Sequence, residues 1–340
     1  MDPPLVAVVL AGGTGTRLYP ASTPERPKQL QAFGGDGSLL ERTVARCRGV
    51  ADEVYVLTRP ALAEAVREAV PGVAVLTEPA PKDTGPALVY AAATLREQVG
   101  ECVMAALPSD HHVGEGFAST LERAARAAVV SDALVTIGVE PTRPATGYGY
   151  IEPATANDEA TPTANNEATV REAGDGGDAG SDADPALPVA RFVEKPDADR
   201  AREYVERGWY WNAGMFCWTP DAFLRAARES RLGDLVAAVE RGDAAAGFDA
   251  VDAVSVDHAV LEGAADVRVV PAGFAWDDLG DWDAVGRVGD ADADGNVVLG
   301  EALTIEAADC VVAGDGHVSL VGVDELFLKH DTIMLEGCNT

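Results

Sequence analysis

Over the first 140 residues, apolar positions follow two alternating patterns. Short apolar, β-branched runs occur at Leu5–Leu10, Val54–Thr58, Val73–Thr77, Cys102–Leu107 and Leu134–Val139. Between them lie amphipathic stretches of helical length at Leu39–Arg48, Ala61–Val70, Gly85–Val99 and Phe117–Val130. Strand–helix alternation at this spacing predicts βαβ units and an α/β fold with a mostly parallel sheet. Ligands of such sheets sit beyond the carboxyl ends of the strands. The loops after the first and fourth strands, Ala11–Pro20 and Pro108–His112, should therefore face the site.

From Pro153 to about Val189 the pattern stops. The stretch holds Ala, Thr, Asn, Asp and Gly, with eight acids, one arginine and no aromatic residue. It cannot bury enough apolar surface to offset the entropy of ordering, so it reads as an acidic, loosely ordered insertion. Periodicity then resumes, with strands over Ala190–Glu194, Trp209–Trp218 and Asp266–Pro271. Helices are expected over Ala198–Arg207, on to about Val239, and over Ser255–Glu262. From Asn296 only short strand-like runs with Gly, Asp and Asn turns remain, and no convincing repeat is visible. The division expected is residues 1–290 as one domain, interrupted at 153–189, and 291–340 as a small β-rich segment.

Charge changes this picture of an ordinary globular chain. Lys and Arg number 26 against 56 Asp and Glu, a net charge of −30 over 340 residues. Such a surface repels phosphate backbones and anionic headgroups, which argues against nucleic acid or a membrane as partner. Acid excess throughout the chain with few lysines is the pattern of a halophilic protein, where concentrated salt screens self-repulsion. The start has no basic region, and its apolar run is too short for a signal core or a span. Cys47, Cys102, Cys217, Cys310 and Cys338 are scattered and odd in number. They predict buried packing in a reducing cytoplasm rather than disulfides or a zinc site.

Chemistry begins directly after the first strand, at Leu10-Ala-Gly-Gly-Thr-Gly-Thr-Arg-Leu-Tyr-Pro20. Glycines let backbone N–H groups approach a phosphate chain. A dinucleotide G-x-G-x-x-G starting at Gly13 would need glycine where Leu18 stands, and the G-K-[ST] of a P-loop is missing. Residues 11–30 carry Arg17, Arg26 and Lys28 against Glu25 alone, a positive island in an acidic chain. An anion is expected there.

These residues also carry a family resemblance. Leu10–Pro20, Arg26-Pro-Lys-Gln-Leu30 and Ser38-Leu-Leu-Glu-Arg-Thr43 resemble the nucleotidyltransferases that make nucleotide sugars, in the branch using GTP and mannose 1-phosphate. The likeness runs on, in order, through Glu78-Pro, Lys82-Asp-Thr-Gly-Pro-Ala87, Leu107-Pro-Ser-Asp-His111, Pro141-Thr-Arg, Thr146-Gly-Tyr-Gly-Tyr-Ile151, Phe192-Val-Glu-Lys-Pro196, Trp211-Asn-Ala-Gly-Met-Phe216, Ser255-Val-Asp-His-Ala-Val260 and Trp276-Asp-Asp-Leu-Gly-Asp-Trp282. It covers about residues 5–285 and implies a Rossmann-like domain with a mixed sheet and a β-rich C-terminal part. The chain ends soon after that part, short of the isomerase domain fused in larger relatives.

The resemblance implies that a sugar 1-phosphate oxygen attacks the α-phosphorus of the triphosphate and pyrophosphate leaves. The nucleophile is already an anion, so positioning and charge neutralisation carry the catalysis. Arg17 would hold the β- and γ-phosphates, and Lys28 would neutralise the transferring phosphoryl group. Leu10, Ala11, Gly12, Gly13, Thr14, Gly15, Thr16, Thr84 and Pro108 would line the nucleotide. Asp83 would accept from guanine or bind ribose. Gly147, Gly149, Glu194 and Asn212 would meet the hexose and Lys195 its phosphate, with an ion pair to Glu194 as the plainer role for Lys195 and a turn as that for Asn212. Asp110 and Asp278 match a Mg²⁺ pair, as hard oxygen ligands suit. Asp277 stands where relatives often carry a small polar residue. His111 and His112, adjacent and without a third partner, make a poor metal site. A homodimer is compatible with the resemblance. The same reaction on another hexose 1-phosphate or triphosphate is the first alternative. A catalytically silent regulatory homologue is the second, disfavoured because Arg17, Lys28, Asp110 and Asp278 are all present.

Overall fold

The computed structural model describes residues 3–13, 15, 18–19, 22–24, 26–33, 37–154 and 186–329. In chain order it contains β1 (Leu5–Leu10), α1 (Leu39–Arg48), β2 (Glu53–Thr58), α2 (Ala63–Ala69), β3 (Ala74–Thr77), α3 (Thr84–Gln98), β4 (Val103–Pro108), β5 (His112–Val113), α4 (Phe117–Ser131), β6 (Leu134–Val139) and β7 (Gly149–Pro153). There follow β8 (Leu187–Glu194), α5 (Ala198–Glu206), β9 (Tyr210–Trp218), α6 (Pro220–Arg228), α7 (Gly233–Glu240), α8 (Ala244–Ala250), α9 (Val256–Ala259), β10 (Val267–Pro271), β11 (Trp276–Asp277) and α10 (Trp282–Val288). The C-terminal strands are β12 (Val297–Ile305), β13 (Val311–Val321) and β14 (Phe327–Lys329).

Among the described residues nine strands form one mixed sheet in the order β3-β2-β1-β4-β9-β6-β10-β8-β7. The half built from the first 108 residues is parallel. Beyond it, β9 runs antiparallel to both β4 and β6, while β10 lies parallel to β6. The continuous apolar runs reflect burial on both faces. In β1, Leu5, Ala7 and Val9 join the core under α1, α2, α4 and α5. Val6 and Val8 join the opposite core, built with α3, α6, α7 and α9. Chain order reverses at β1, with β2 on one side and β4 on the other, so the carboxyl ends of β1 and β4 form the crevice that such sheets use for ligands.

The Ser38-Leu-Leu-Glu motif proves to be a capping box that starts α1. The Glu41 N–H donates to Ser38 Oγ at 3.2 Å, and the Ser38 N–H donates back to the Glu41 carboxylate at 2.7 Å. Gly85 in α3 has a long-range cause: a Cβ there would lie 2.7 Å from the carbonyl oxygen of Val254. β7 and β8 form an antiparallel hairpin with Gly149 opposite Glu194 at one end and Pro153 opposite Val189 at the other. The Ala154 N–H reaches the Pro188 carbonyl at 2.8 Å. Most of the acidic insertion, residues 155–185, lies outside the described residues; its flanks leave from the Pro153 end.

The C-terminal strands stack in parallel, with Val297 beside Val311 and Val311 beside Phe327. Such close parallel stacking makes them rungs of a coil. Buried Asn296 braces the bend, donating to the Ala307 carbonyl at 2.9 Å and accepting from the Cys310 N–H at 3.1 Å. The interior is lined by apolar residues, including Cys310, Val312, Val318 and Leu320. Val297 and Val311 also pack with Leu18, Phe33, Leu39, Leu279 and Val285, seating the coil against the first loop and α1. Cys47, Cys102, Cys217 and Cys310 are buried free thiols. Burial pushes Cys47 and Cys217 up to about 12 and Cys102 to about 11, so these three are unreactive packing groups. Among the described residues no helix is long and apolar enough to cross a membrane.

Candidate active site

The loop after β1 is clamped from both sides. Thr58 donates to the Ala11 carbonyl at 2.8 Å, and the buried amide of Gln29 donates to the carbonyls of Ala11 and Gly13 at 3.2 and 2.9 Å. With its carbonyls so engaged, the loop is held in place at the carboxyl end of β1. Gly15 has φ +60, and a Cβ on it would sit 2.4 Å from Lys28 Cβ, so only glycine fits. Ser22 donates to the Gly15 carbonyl and fixes the turn. Arg17, Thr14 and Thr16 lie outside the described residues.

Lys28, buried in a single 3₁₀ turn, crosses the crevice. Its Nζ lies 3.0 Å from Asp110 Oδ2, just past the end of β4, and 2.5 Å from the Asp278 carbonyl oxygen. Burial pushes Asp110 up, but the ammonium of Lys28, joined by His111, outweighs this and holds the carboxyl below its ordinary range. The Asp278 carboxylate accepts from Tyr148 Oη and from the Gly280 N–H, each at 3.0 Å. Three residues separated by up to 250 positions thus converge. Tyr148 is packed edge-on against Trp211 and Trp276, and burial beside Asp278 pushes its phenol up, keeping it a donor. Asp277 turns the other way, forming a two-pronged pair with Arg287 at 3.0 and 2.8 Å. His111 accepts from the Trp276 indole at 3.1 Å in the assigned geometry. Among the described residues no cluster of three or more His, Cys, Asp or Glu could hold a metal.

The predicted hexose residues gather where β7, β8 and β9 meet. A Cβ on Gly149 would lie 2.6 Å from Glu194 Oε2 and 3.5 Å from Asn212 Cβ. Lys195, at φ +44, pairs with Glu194. Asn212 accepts from the Gly214 N–H at 3.1 Å and Thr136 Oγ1 at 3.3 Å, and donates to Asp257 at 2.7 Å. One amide hydrogen therefore remains for a ligand. Gly147 precedes this hairpin, and Pro108 ends β4 facing Gly214. Of the residues expected to line the nucleotide, exposed Asp83 caps α3 through the Thr84 N–H at 2.7 Å, while the Thr84 hydroxyl accepts from the Val256 N–H at 3.0 Å. Sequence reasoning gave no role to Gln29, Tyr148, Asp257 or Glu78, although all four lie inside the motifs quoted above. Their partners are distant in sequence, and spacing alone does not expose them.

The sheet order and the loop–lysine–aspartate crevice define a class, and a family model described as nucleotidyl transferase matches residues 6–295. The chain belongs to the nucleotidyl transferase family. It is 33% identical, over 95% of its length, to a mannose-1-phosphate guanylyltransferase of Sinorhizobium fredii, covering 63% of that protein. It is 32% identical, over 95% of its length, to the alginate biosynthesis protein AlgA of Pseudomonas syringae, covering 66%. With the mannose-1-phosphate guanylyltransferase of Escherichia coli the identity is 32% over 98% of the chain and 71% of that protein. The chain thus spans about two thirds of the length of these relatives. A solved Thermus thermophilus structure titled mannose-1-phosphate geranyltransferase superposes with TM-score 0.83 at 31% identity, covering 98% of this chain and 95% of that one.

Proposed function

We propose that the chain transfers GMP from GTP to mannose 1-phosphate, giving GDP-mannose and pyrophosphate. A phosphate oxygen of the sugar 1-phosphate bonds to the α-phosphorus as the bond to the β-phosphate oxygen breaks, and pyrophosphate takes the electron pair. The observation that carries this reading is the crossing of Lys28 between Asp110 and Asp278 at the carboxyl ends of β1 and β4. A fixed ammonium there neutralises charge on the transferring phosphoryl group without reorganisation. Arg17, on the glycine-rich loop, is assigned to the leaving pyrophosphate. Glu194 and the remaining Asn212 hydrogen orient the hexose, and Lys195 exchanges Glu194 for the sugar phosphate.

Asp110 and Asp278 fit a Mg²⁺ completed by substrate oxygens. Each carboxylate offers about four acceptor sites, of which the protein contacts above use one or two. Bound there, the ion would polarise phosphate oxygens and offset the repulsion between two acids. Pyrophosphate release measured for GTP, ATP, UTP and dTTP crossed with mannose, glucose and galactose 1-phosphates tests the reading. The highest rate should fall on GTP with mannose 1-phosphate and vanish in excess EDTA. A different preferred pair replaces the substrates, full rate in EDTA removes the metal, and no turnover with any pair favours a silent regulatory homologue.

A further inference from the structure

Tyr148 stands between Gly147 and Gly149, yet its side chain leaves the hexose residues and reaches Asp278. Its Oη donates to Asp278 Oδ1 at 3.0 Å. The single hydroxyl hydrogen has its direction fixed by what lies behind it. Arg143 Nη2 is 3.2 Å from Tyr148 Oη, and a guanidinium can only donate, so the tyrosine accepts from Arg143 and gives its own hydrogen to Asp278. The ring is held as well. Trp211 and Trp276 pack edge-on against it with centroids 5.0 and 5.2 Å away, and the Arg143 guanidinium lies 5.4 Å from its centre. Its backbone is tied down by the Lys195 N–H, which donates to the Tyr148 carbonyl at 3.2 Å. The Gly280 N–H also donates to Asp278 Oδ1, again at 3.0 Å. Both donors therefore fall on the same oxygen, and among the described residues Oδ2 takes no hydrogen bond.

We propose that Tyr148, backed by Arg143, is a positioning residue that anchors Oδ1 of Asp278 and reserves Oδ2 as the oxygen that ligates the ion shared with Asp110. This rests on the Mg²⁺ reading above and adds to it two residues that never touch the ion. A carboxylate free to rotate would have to be ordered each time an ion binds, and partners that fix a ligating group change metal affinity or activity by about 10- to 100-fold. A tyrosine that merely fills space would be replaced by phenylalanine without loss, because the ring supplies all of its packing.

The test is Mn²⁺ binding to the full chain in the presence of GDP-mannose, with Mn²⁺ as the probe ion and its free concentration read by electron paramagnetic resonance. Tyr148→Phe keeps the ring and removes only the hydroxyl. It should raise the Kd for Mn²⁺ by about 10-fold or more, with KM for mannose 1-phosphate held within about twofold. Its kcat should fall at low Mg²⁺ and recover as Mg²⁺ is raised, which a packing fault would not do. Arg143→Met should raise the Kd by about threefold, and Arg143→Lys, which still only donates, should stay within about twofold of wild type. Unchanged Mn²⁺ affinity in Tyr148→Phe overturns the positioning role and leaves the metal reading standing. A wild type that binds no Mn²⁺ overturns the metal reading, and this proposal with it. If Tyr148→Phe does not fold, the Arg143 variants decide: wild-type affinity in Arg143→Met overturns the proposal, and a loss in Arg143→Met that Arg143→Lys restores supports it.

Discussion

Asp277 and Arg287 are locked together by two hydrogen bonds of 3.0 and 2.8 Å, while Asp278, one residue along, turns its carboxylate to Tyr148 on the other side of the chain. Leu279 at φ +48 and Gly280, where a Cβ would lie 2.8 Å from Asp278 Oδ2, permit this divergence. Asp278→Asn should therefore lower kcat/KM by at least ~10²-fold, on the order of 3 kcal/mol, with little change in Tm. Asp277→Asn should do the reverse, costing about 1–2 kcal/mol of stability through the partly exposed pair and leaving kcat near wild type. Kinetics and thermal melts on both variants check this. An essential Asp277 beside a dispensable Asp278 would show that the site has been assigned one residue out of register.

The contact between Gly15 and Lys28 gives a second handle. Alanine at 15 meets a left-handed backbone cost of roughly 1–2 kcal/mol and a Cβ overlap with the lysine stem. The lysine must shift, so kcat should fall by more than about tenfold while Tm falls by only a few degrees. Gly13→Ala, where a Cβ would meet nothing within 4 Å, is the control and should be mild in the free protein. A Gly15→Ala variant with wild-type kcat would detach the loop from the lysine.

What could be read in the sequence follows from where the information lies. Strands β1, β4 and β6 are continuous apolar runs because both faces are buried, and local pattern suffices to find them, as it does for β2 and the less buried edge strand β3. That β9 lies antiparallel between β4 and β6 is a pairing fact that no periodicity encodes. The C-terminal part reads in the sequence as short strands and turns, but the parallel stacking of β12, β13 and β14 is a pairing that local pattern does not encode. Lys28, Asp110 and Asp278 came from family resemblance and do converge. Gln29 stands in the same motifs, but it acts through the backbone carbonyls of Ala11 and Gly13, and only coordinates reveal that.

Glu78 also makes a prediction about stability. Burial lifts its folded-state value to about 7, above the ordinary 4.5, so the folded chain binds this proton more tightly than the unfolded chain. Its contribution is therefore lost as pH rises from about 4.5 through 7. Glu78→Gln should leave Tm unchanged near pH 4.5 and raise it at pH 8 by roughly 2–4 °C. A variant that is destabilised at pH 8 without ligand would mean that the carboxylate has a donor in the folded protein.

The net charge of −30 predicts that salt contributes to the chain's stability. Surface pairs such as Arg96 with Glu240 and Arg225 with Asp132 consume arginines, yet acids outnumber bases by more than two to one. At about 0.1 M salt the repulsion reaches over ~10 Å, and at molar salt over ~3 Å. Tm should rise by several degrees between 0.1 and 2 M KCl. An unchanged melt would count against the halophilic reading of the composition.

The acidic insertion can be tested through the hairpin that carries it. β7 runs from Gly149, opposite Glu194, to Pro153, opposite Val189, so its two ends are about 13 Å apart at ~3.3 Å per residue. The candidate hexose site lies at the Gly149 end, and the chain leaves for 155–185 at the other. The bond from Ala154 to the Pro188 carbonyl already brings the flanks together, as a tight turn would. Excising 155–185 and joining the flanks through a short Asn-Gly turn should keep the β7–β8 register, since Pro153 and Val189 stay paired. In 2 M KCl, kcat and KM for both substrates should remain within about twofold of wild type. Net charge would fall in magnitude, because the segment holds eight acids and one arginine, so the variant should need less salt for the same Tm. A large loss of kcat with an intact melt would place the insertion over the site as a closing segment, contrary to the direction in which the hairpin points.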